Sequence, residues 1–412
     1  MSDAITRGAV TIVGASLAGI RAAETLRRDG FDGPITLIGD EPHAPYDRPP
    51  LSKQFLAGGW DEGRLSLIGG DALEGLGLEL KLGVRAEAFD LSSRTLSLDD
   101  GTSSVVDGLL IATGSTPRRL PGTEGLAGVF TLRTIDDARA LRSAFEAAPR
   151  RVVVIGAGFI GAEVAATARG RGIDVTMVEA LPVPLGRVLG PDMGHLMADL
   201  HREHEVDLRL GVGVDTLEGD GRVERVRLSD GSVIEADIVL VGVGVIPNTA
   251  WLEGSGLTID NGVVCDATTL AAPGVTAAGD VARWYNPRFD ETARVEHWDH
   301  AIEMAAHAAR RLLVDDDAGE AAVTFEPVPF FWSDQYDRKI QLAGRSRHDD
   351  TVEIVTGSLA ERRFAAIYGR GGKIVAVLGM NRPRHVMQYR QLIVDRATWQ
   401  EALAFAAAQA TT

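Results

Sequence analysis

The sequence predicts an α/β protein made of two copies of one open-sheet domain followed by a smaller α+β domain. Three observations carry this. The stretches "TIVGASLAG" (11–19) and "VIGAGFIG" (154–161) are glycine turns 142 positions apart, each set between a strand-like run and a helix-like run. Downstream of each, "DGLLIATGSTP" from Asp107 and "ADIVLVGVGVIPN" from Ala236 put an acid before an apolar strand that ends in glycine, with Asp107 and Asp237 130 positions apart. Past Pro327 the pattern changes to short β-like runs. A spacing this wide suits two copies of a domain rather than a solenoid repeat.

In chain order, the first copy reads as a strand over 9–13, a helix over 17–28 and a strand over 34–41 that ends at Asp40 and Glu41. The second reads as a strand over 152–155, a helix over 160–169 and a strand over 175–179 that ends at Glu179. After Asn248, "GVVCDATTLAAPGVTAAGDVA" starts no third glycine turn and is expected to complete the first domain. The runs "KIQLAG", "VEIVTG", "RRFAAIYG" and "KIVAVLG" then build the α+β domain, closed by one terminal helix from about residue 384.

Composition limits the function. The 412 residues are 45% hydrophobic and 24% charged, as in a soluble globular protein. A formal net charge of −16 argues against a general nucleic-acid or anionic-membrane binder, since affinity for polyphosphate is built from clustered Lys and Arg. A single cysteine, Cys265, excludes a disulfide framework or a CxxC redox pair within the chain and fits a reducing, cytoplasmic setting. The opening "MSDAITRG" has no long apolar segment, so export is not expected.

The two turns point to dinucleotides. In G-x-G-x-x-G the first glycine makes the turn, the second lets the backbone approach a pyrophosphate, and the third lets helix pack on strand, while the helix N-terminus faces the phosphates. Gly156, Gly158 and Gly161 satisfy the pattern, and Glu179 stands where an acid binds a ribose 2'-hydroxyl. Uncharged Ala180, Leu181 and Pro182 follow, so NADH is favoured over NADPH, although Arg187 lies within reach. The other turn keeps Gly14 and Gly19 and has Ser16 in the middle. Its hydroxyl can donate to a pyrophosphate.

Together, "DEPHAPYDRPPLSK", "RTIDDA", "GAGFIGAEVAA", "GVGVIPN", "AAGDVA" and "PFFWSDQYDRKIQLAG" resemble, in order and over nearly the whole chain, the FAD-dependent NADH:ferredoxin reductases of oxygenase systems. The resemblance implies a glutathione-reductase-like fold: two Rossmann-like domains, FAD-binding (1–115 with 249–326) and NAD-binding (116–248), and a C-terminal domain (327–412). It implies FAD contacts at Gly14, Ser16, Ala18, Gly19, Asp40, Glu41, Arg48, Lys53, Val84, Ala112, Thr113, Gly114, Arg133, Gly279, Asp280 and Trp298. For NADH it implies Gly156, Gly158, Ile160, Gly161, Glu179, Arg187 and Gly244. Lys53 and Glu163 match a pair that the family sets beside the reactive edge of the flavin. The implied activity passes electrons from NADH through FAD to a 2Fe-2S ferredoxin that serves a cytochrome P450 or a Rieske-type ring-hydroxylating dioxygenase. A rubredoxin reductase and an NADH oxidase or quinone reductase are the enzyme alternatives. An apoptosis-inducing-factor-like interaction protein is the alternative of another class.

Other motifs carry less. His201 and His204 in "HREH" lack further ligands and read as part of an exposed helix, not a metal site. "HWDH" (297–300) reads as the start of a helix at the flavin ring, and Cys265 as a buried strand residue. Trp332 is either core or, by the resemblance, an aromatic near the flavin and the partner face. An acidic reductase that receives an acidic partner needs a local basic patch, for which Arg338 and Lys339 are first candidates and Arg310 and Arg311 second.

Overall fold

A computed structural model describes residues 7–314 and 322–410 of the chain. The reading of the opening segment as leaderless falls mostly on residues 1–6, outside the described residues. The chain forms two compact units, one of residues 1–47, 65–116 and 246–329, the other of residues 48–64, 117–245 and 330–412.

The first unit is organised on a six-stranded sheet in the order Leu270–Ala272, Val275–Ala277, Gly108–Ile111, Val10–Val13, Ile35–Gly39, Glu79–Leu82. All neighbours are parallel except the first two. The central strands are continuous apolar runs because helices cover them, as parallel sheets require. Helix Leu17–Arg28 buries Ile20, Ala22, Ala23 and Leu26. Helix Trp298–Leu313 starts within the "HWDH" motif, as expected, with His297 as its N-cap; it packs against Leu17–Arg28 and buries Met304, Ala305 and Ala308.

The second unit repeats the plan. Its parallel sheet runs Asp207–Leu210, Asp174–Glu179, Arg151–Ile155, Ile238–Val241, Val129–Phe130. In both units the strand that leads into the glycine turn lies between the strand after the helix and the strand introduced by the repeated acid. The acids do the same job in each. Asp107 Oδ2 accepts the N–H groups of Gly8 (2.6 Å) and Ala9 (3.3 Å), and Asp237 Oδ2 those of Arg150 (2.7 Å) and Arg151 (3.1 Å). Each thus pins the entry of the strand that leads into its unit's glycine turn.

The last segment of the second unit is a five-stranded antiparallel sheet, Phe330–Gln335, Arg338–Gly344, Lys373–Met380, Arg363–Arg370, Thr351–Ser358. The single terminal helix expected from residue 384 is corrected to two, Pro383–Val394 and Trp399–Ala410, because Arg396 adopts φ 58° between them. Helix Pro191–Glu203 joins this sheet to the dinucleotide half: Met193, Leu196, Met197 and Leu200 share a core with Phe331, Leu342, Phe364 and Leu378.

That packing corrects the reading of "HREH" as an exposed helix. His201 is buried, its Nδ1 lies 2.8 Å from the Tyr336 hydroxyl, and His204 stacks on the Tyr336 ring at 3.6 Å. Burial lowers the His201 pKa to about 4. Among the described residues, no cluster of His, Cys, Asp and Glu fit to hold a metal ion is present. No described helix is long and apolar enough to cross a membrane.

Candidate dinucleotide and charge-pair sites

Both glycine turns are built alike, and the structure separates what each glycine does. A Cβ on Gly14 (φ 118°) would lie 2.1 Å from the carbonyl oxygen of Ala112, and one on Gly19 would lie 1.8 Å from that of Gly14. In the second turn a Cβ on Gly156 would meet Gly242 O at 2.4 Å, and one on Gly161 would meet Gly156 O at 2.3 Å. These four glycines are required by the fold itself. A Cβ on Gly158, however, would have no described protein atom within 4 Å. The middle position faces open space, which is the room a pyrophosphate needs. It also explains how Ser16 is accommodated at the middle of the first turn.

Ser16 and Gly158 are the N-caps of their helices, both extended, and neither supplies a side-chain cap. No acid stands in the first turn of either helix. Each turn therefore presents the N–H groups and the positive end of a helix dipole to an anion. Dinucleotide phosphates fit both.

In the first unit the expected contacts surround the sheet ends next to Gly14. Ala112 is buried and donates its N–H to Val13 O, and Val84 donates its own to Gly39 O. Thr113 and Asn248 lock together: Thr113 Oγ1 donates to Asn248 O at 2.9 Å, and Asn248 Nδ2 donates to Thr113 O at 2.8 Å. Gly114 follows at φ 67°. Gly279 (φ 75°) packs against Ala18, and Asp280 Oδ2 accepts the Ser115 hydroxyl at 2.9 Å. The indole N–H of Trp298 donates to Asp47 Oδ1 at 2.7 Å, and the Tyr46 hydroxyl donates to Glu41. Asn248, Ser115, Asp47 and Tyr46 were not singled out from sequence.

The register shows why the two copies differ in their acids. Val13 pairs with Ile38 and Ile155 with Val178, so Glu179 corresponds to Gly39, one residue before Asp40. A Cβ on Gly39 would lie 2.6 Å from that of Ala15, so no side chain fits there and the acids of the first copy move to positions 40 and 41. Asp40 is exposed and Glu41 half-buried.

In the second unit the Glu179 carboxylate lies beside the turn, with Oε2 accepting the Ala157 N–H and Oε1 that of Leu181, each at 2.9 Å. Exposed apolar Ile160 and Val243 flank the turn, and exposed Gly244 (φ 97°) follows. Arg187 is exposed on the short helix Gly186–Leu189. "RTIDDA" is a capping box: Thr134 Oγ1 accepts the Asp137 N–H, and Asp137 Oδ2 accepts those of Thr134 and Arg133. The cap fixes the Arg133 carbonyl, which receives the Arg48 guanidinium at 2.7 Å.

Lys53 and Glu163 do meet. Lys53 ends the Pro49–Ser52 turn of 3-10 helix, Glu163 lies on helix Phe159–Gly170, and Nζ is 2.8 Å from Oε2. The carboxylate is 3% exposed and the lysine side chain 11%. Ser52 Oγ also donates to Oε2 (2.5 Å), and Ser333 Oγ donates to Oε1 (2.7 Å). A carboxylate this buried requires such compensation.

The remaining candidates divide. Cys265 is buried in strand Val263–Cys265, and burial pushes its thiol pKa up, so it is no nucleophile. Trp332 is half-buried and stacks on Phe330. Arg311 is corrected from surface to interior, where its Nε donates to Thr268. Arg310 pairs with Asp29 at 2.6 Å, Arg338 with Asp337 at 3.0 Å and Lys339 with Asp334 at 2.5 Å, so each carries a neutralising acid.

Residues 8–305 match the pyridine nucleotide-disulphide oxidoreductase family, and residues 330–411 match the reductase C-terminal family. The chain is 38% identical to the rhodocoxin reductase of Rhodococcus erythropolis, with 93% of this chain and 89% of that protein covered. It is 37% identical to the ferredoxin–NAD(+) reductase component of the anthranilate 1,2-dioxygenase system of Burkholderia cepacia, covering 94% of each. Its structure resembles the covalent putidaredoxin reductase–putidaredoxin complex with a TM-score of 0.89 at 34% identity, over 98% of this chain and 99% of that one.

Proposed function

Since this chain belongs to the pyridine nucleotide-disulphide oxidoreductase family, we propose that it is an FAD-dependent ferredoxin–NAD(+) reductase, passing electrons from NADH through FAD to a 2Fe-2S ferredoxin of a P450 or Rieske dioxygenase system. The observation that carries this reading is the duplicated turn: two helix N-termini without a side-chain cap, the second with an open middle position at Gly158, on a chain that resembles the reductase components of dioxygenase systems along more than nine-tenths of its length. When bound, FAD accepts a hydride from NADH and releases electrons singly to an iron–sulfur acceptor. A thiol pair as an intermediate acceptor is excluded by the single, buried Cys265.

The chain's own residues bind, orient and compensate charge. The Gly14–Ser16–Gly19 turn holds the FAD pyrophosphate, with Asp40 and Glu41 toward its ribose and Asp280, oriented by Ser115, toward the ribityl chain. Ala18, Val84, Ala112, Thr113, Gly114, Gly279 and Trp298 line the same cofactor, as do Arg48 and Arg133. The Gly156–Gly158–Gly161 turn holds the NADH pyrophosphate, with Ile160, Arg187 and Gly244 around it. Glu179 accepts the ribose 2'-hydroxyl and repels a 2'-phosphate. Lys53 supplies a fixed ammonium donor at the flavin, and Glu163 keeps it oriented. We retain the domain division 1–115 with 249–326, 116–248 and 327–412, and place the enzyme in the cytoplasm.

For the ferredoxin, charge points to a different surface from the one expected. From Arg362 to Val394 the chain holds Arg362, Arg363, Arg370, Lys373, Arg382, Arg384 and Arg390 and no Asp or Glu, in a protein of net charge −16, although Arg362 pairs with Glu203 and Arg370 with Asp350, both outside this stretch. Helix Pro383–Val394 carries Arg384 and Arg390, and the Arg390 guanidinium lies 5.8 Å from the Phe330 ring that stacks on Trp332. We assign docking to this helix and Trp332. The test is anaerobic NADH oxidation with a panel of purified ferredoxins and rubredoxins. Turnover with a 2Fe-2S ferredoxin supports the reading. Turnover only with rubredoxin, oxygen or a quinone replaces it with one of the alternatives.

A further inference from the structure

The strand Phe330–Gln335 alternates strictly. Phe331, Ser333 and Gln335 point into the protein, while Phe330, Trp332 and Asp334 lie on its half-exposed face. Two polar residues on the inner face of a strand are costly unless they are bonded. Here both are fully buried and form one chain: Gln335 Nε2 donates to Ser333 Oγ at 3.1 Å, and Ser333 Oγ donates to Glu163 Oε1 at 2.7 Å. The direction is fixed by chemistry. Ionised Glu163 only accepts, so the Ser333 proton must point to it, and the serine lone pairs then need a donor, which sets the Gln335 amide nitrogen toward them.

The chain occupies Oε1 and leaves Oε2 for Lys53 and Ser52. Without it, a carboxylate held only through Oε2 rotates about its last torsion, which is broad and has no strong preference of its own. Lys53 would follow. We propose that Ser333 and Gln335 are positioning residues for the Lys53 ammonium, acting through Glu163. They add the C-terminal sheet to the machinery of hydride transfer, since the strand that carries Trp332 on one face holds the lysine's counterion on the other. The inference rests on the assignment of Lys53 to the flavin.

The test uses holoenzyme variants Ser333→Ala, Gln335→Met, their double and Lys53→Met. Flavin reduction at saturating NADH, followed by stopped flow, is expected to fall about tenfold in Ser333→Ala and about threefold in Gln335→Met, while the apparent Kd for NADH stays within twofold. The double variant should match Ser333→Ala alone, because Gln335 acts only through the serine. Independently of activity, the rate at which an amine-acylating reagent labels Lys53, read by peptide mass spectrometry, should rise at least threefold in both single variants. Additive losses, an equal loss of NADH affinity, or unchanged labelling would overturn the proposal. If Lys53→Met reduces its flavin at the wild-type rate, the assignment of Lys53 fails first. If it is slow while Ser333→Ala and Gln335→Met are normal, only the positioning role fails. Gln335→Met touches neither charge, so the test survives a Ser333→Ala protein that folds poorly.

Discussion

Replacing Lys53 by Met takes from Glu163, whose carboxylate is 3% exposed, the only cation that pairs with it among the described residues. Breaking a buried ion pair by removing one partner costs roughly 3–5 kcal/mol, because the other charge remains buried. Glu163 keeps the hydroxyls of Ser52 and Ser333, and hydrogen bonds to an ionised group contribute roughly 1.5–3 kcal/mol each, so the loss should fall near the lower bound, about 3 kcal/mol. Glu163→Gln should cost less, about 1–2 kcal/mol, because Lys53 lies closer to solvent and can rehydrate. With both charges removed, no buried charge is left, so the double variant should be more stable than the sum predicts by about 2 kcal/mol. Hydrogen exchange of the amides of helix Phe159–Gly170 measures the local opening free energy in all four proteins without assuming that two units unfold together. Additivity within about 0.5 kcal/mol would refute the reasoning and mean that Lys53 and Glu163 do not interact in solution.

Three further outcomes follow. Glu179→Ala should narrow the preference for NADH over NADPH in kcat/KM by at least tenfold, the equivalent of losing roughly 1.5–3 kcal/mol of charge-assisted hydrogen bond; equal wild-type use of the two nucleotides would displace Glu179 from the ribose. Because the folded pKa of His201, about 4, lies below the unfolded value of 6.5, its share of stability is complete above pH 6.5 and is lost as pH falls toward 4. That share is at most about 3 kcal/mol, so Tm measured between pH 7 and 4.5 should fall more steeply in the wild type than in His201→Phe. Arg384→Glu with Arg390→Glu should raise the KM for ferredoxin several-fold at low ionic strength and less at high salt, with flavin reduction by NADH unchanged; Arg338→Glu with Lys339→Glu should do less, since Asp337 and Asp334 already neutralise those cations.

The duplicated plan was legible because it rests on local chemistry. Gly14, Gly19, Gly156 and Gly161 stand where a Cβ would strike backbone, and apolar runs mark the covered strands. Helix Leu17–Arg28 has the bounds expected from sequence. What stayed hidden depends on distant partners. "HREH" looked exposed because its own spacing holds no sign of Tyr336, which covers both rings from across the unit. Ser333 and Gln335 carry no signal of their place in the sequence, since only folding sets Ser333 on Glu163, 170 residues away, and Gln335 on Ser333. Arg338, Lys339 and Arg310 were legible as charges, but their acids were not legible as partners. The acid-free stretch from 362 to 394 is legible in the sequence alone.

Electrons from NADH should leave this protein singly, through bound FAD, to an iron–sulfur protein. Anaerobic titration of catalytic holoenzyme and excess 2Fe-2S ferredoxin with NADH tests it most directly, with ferredoxin bleaching and NADH oxidation recorded together. Two ferredoxins should be reduced for each NADH consumed. Flavin that is reduced by NADH and stays reduced in the presence of every 2Fe-2S ferredoxin offered would contradict this.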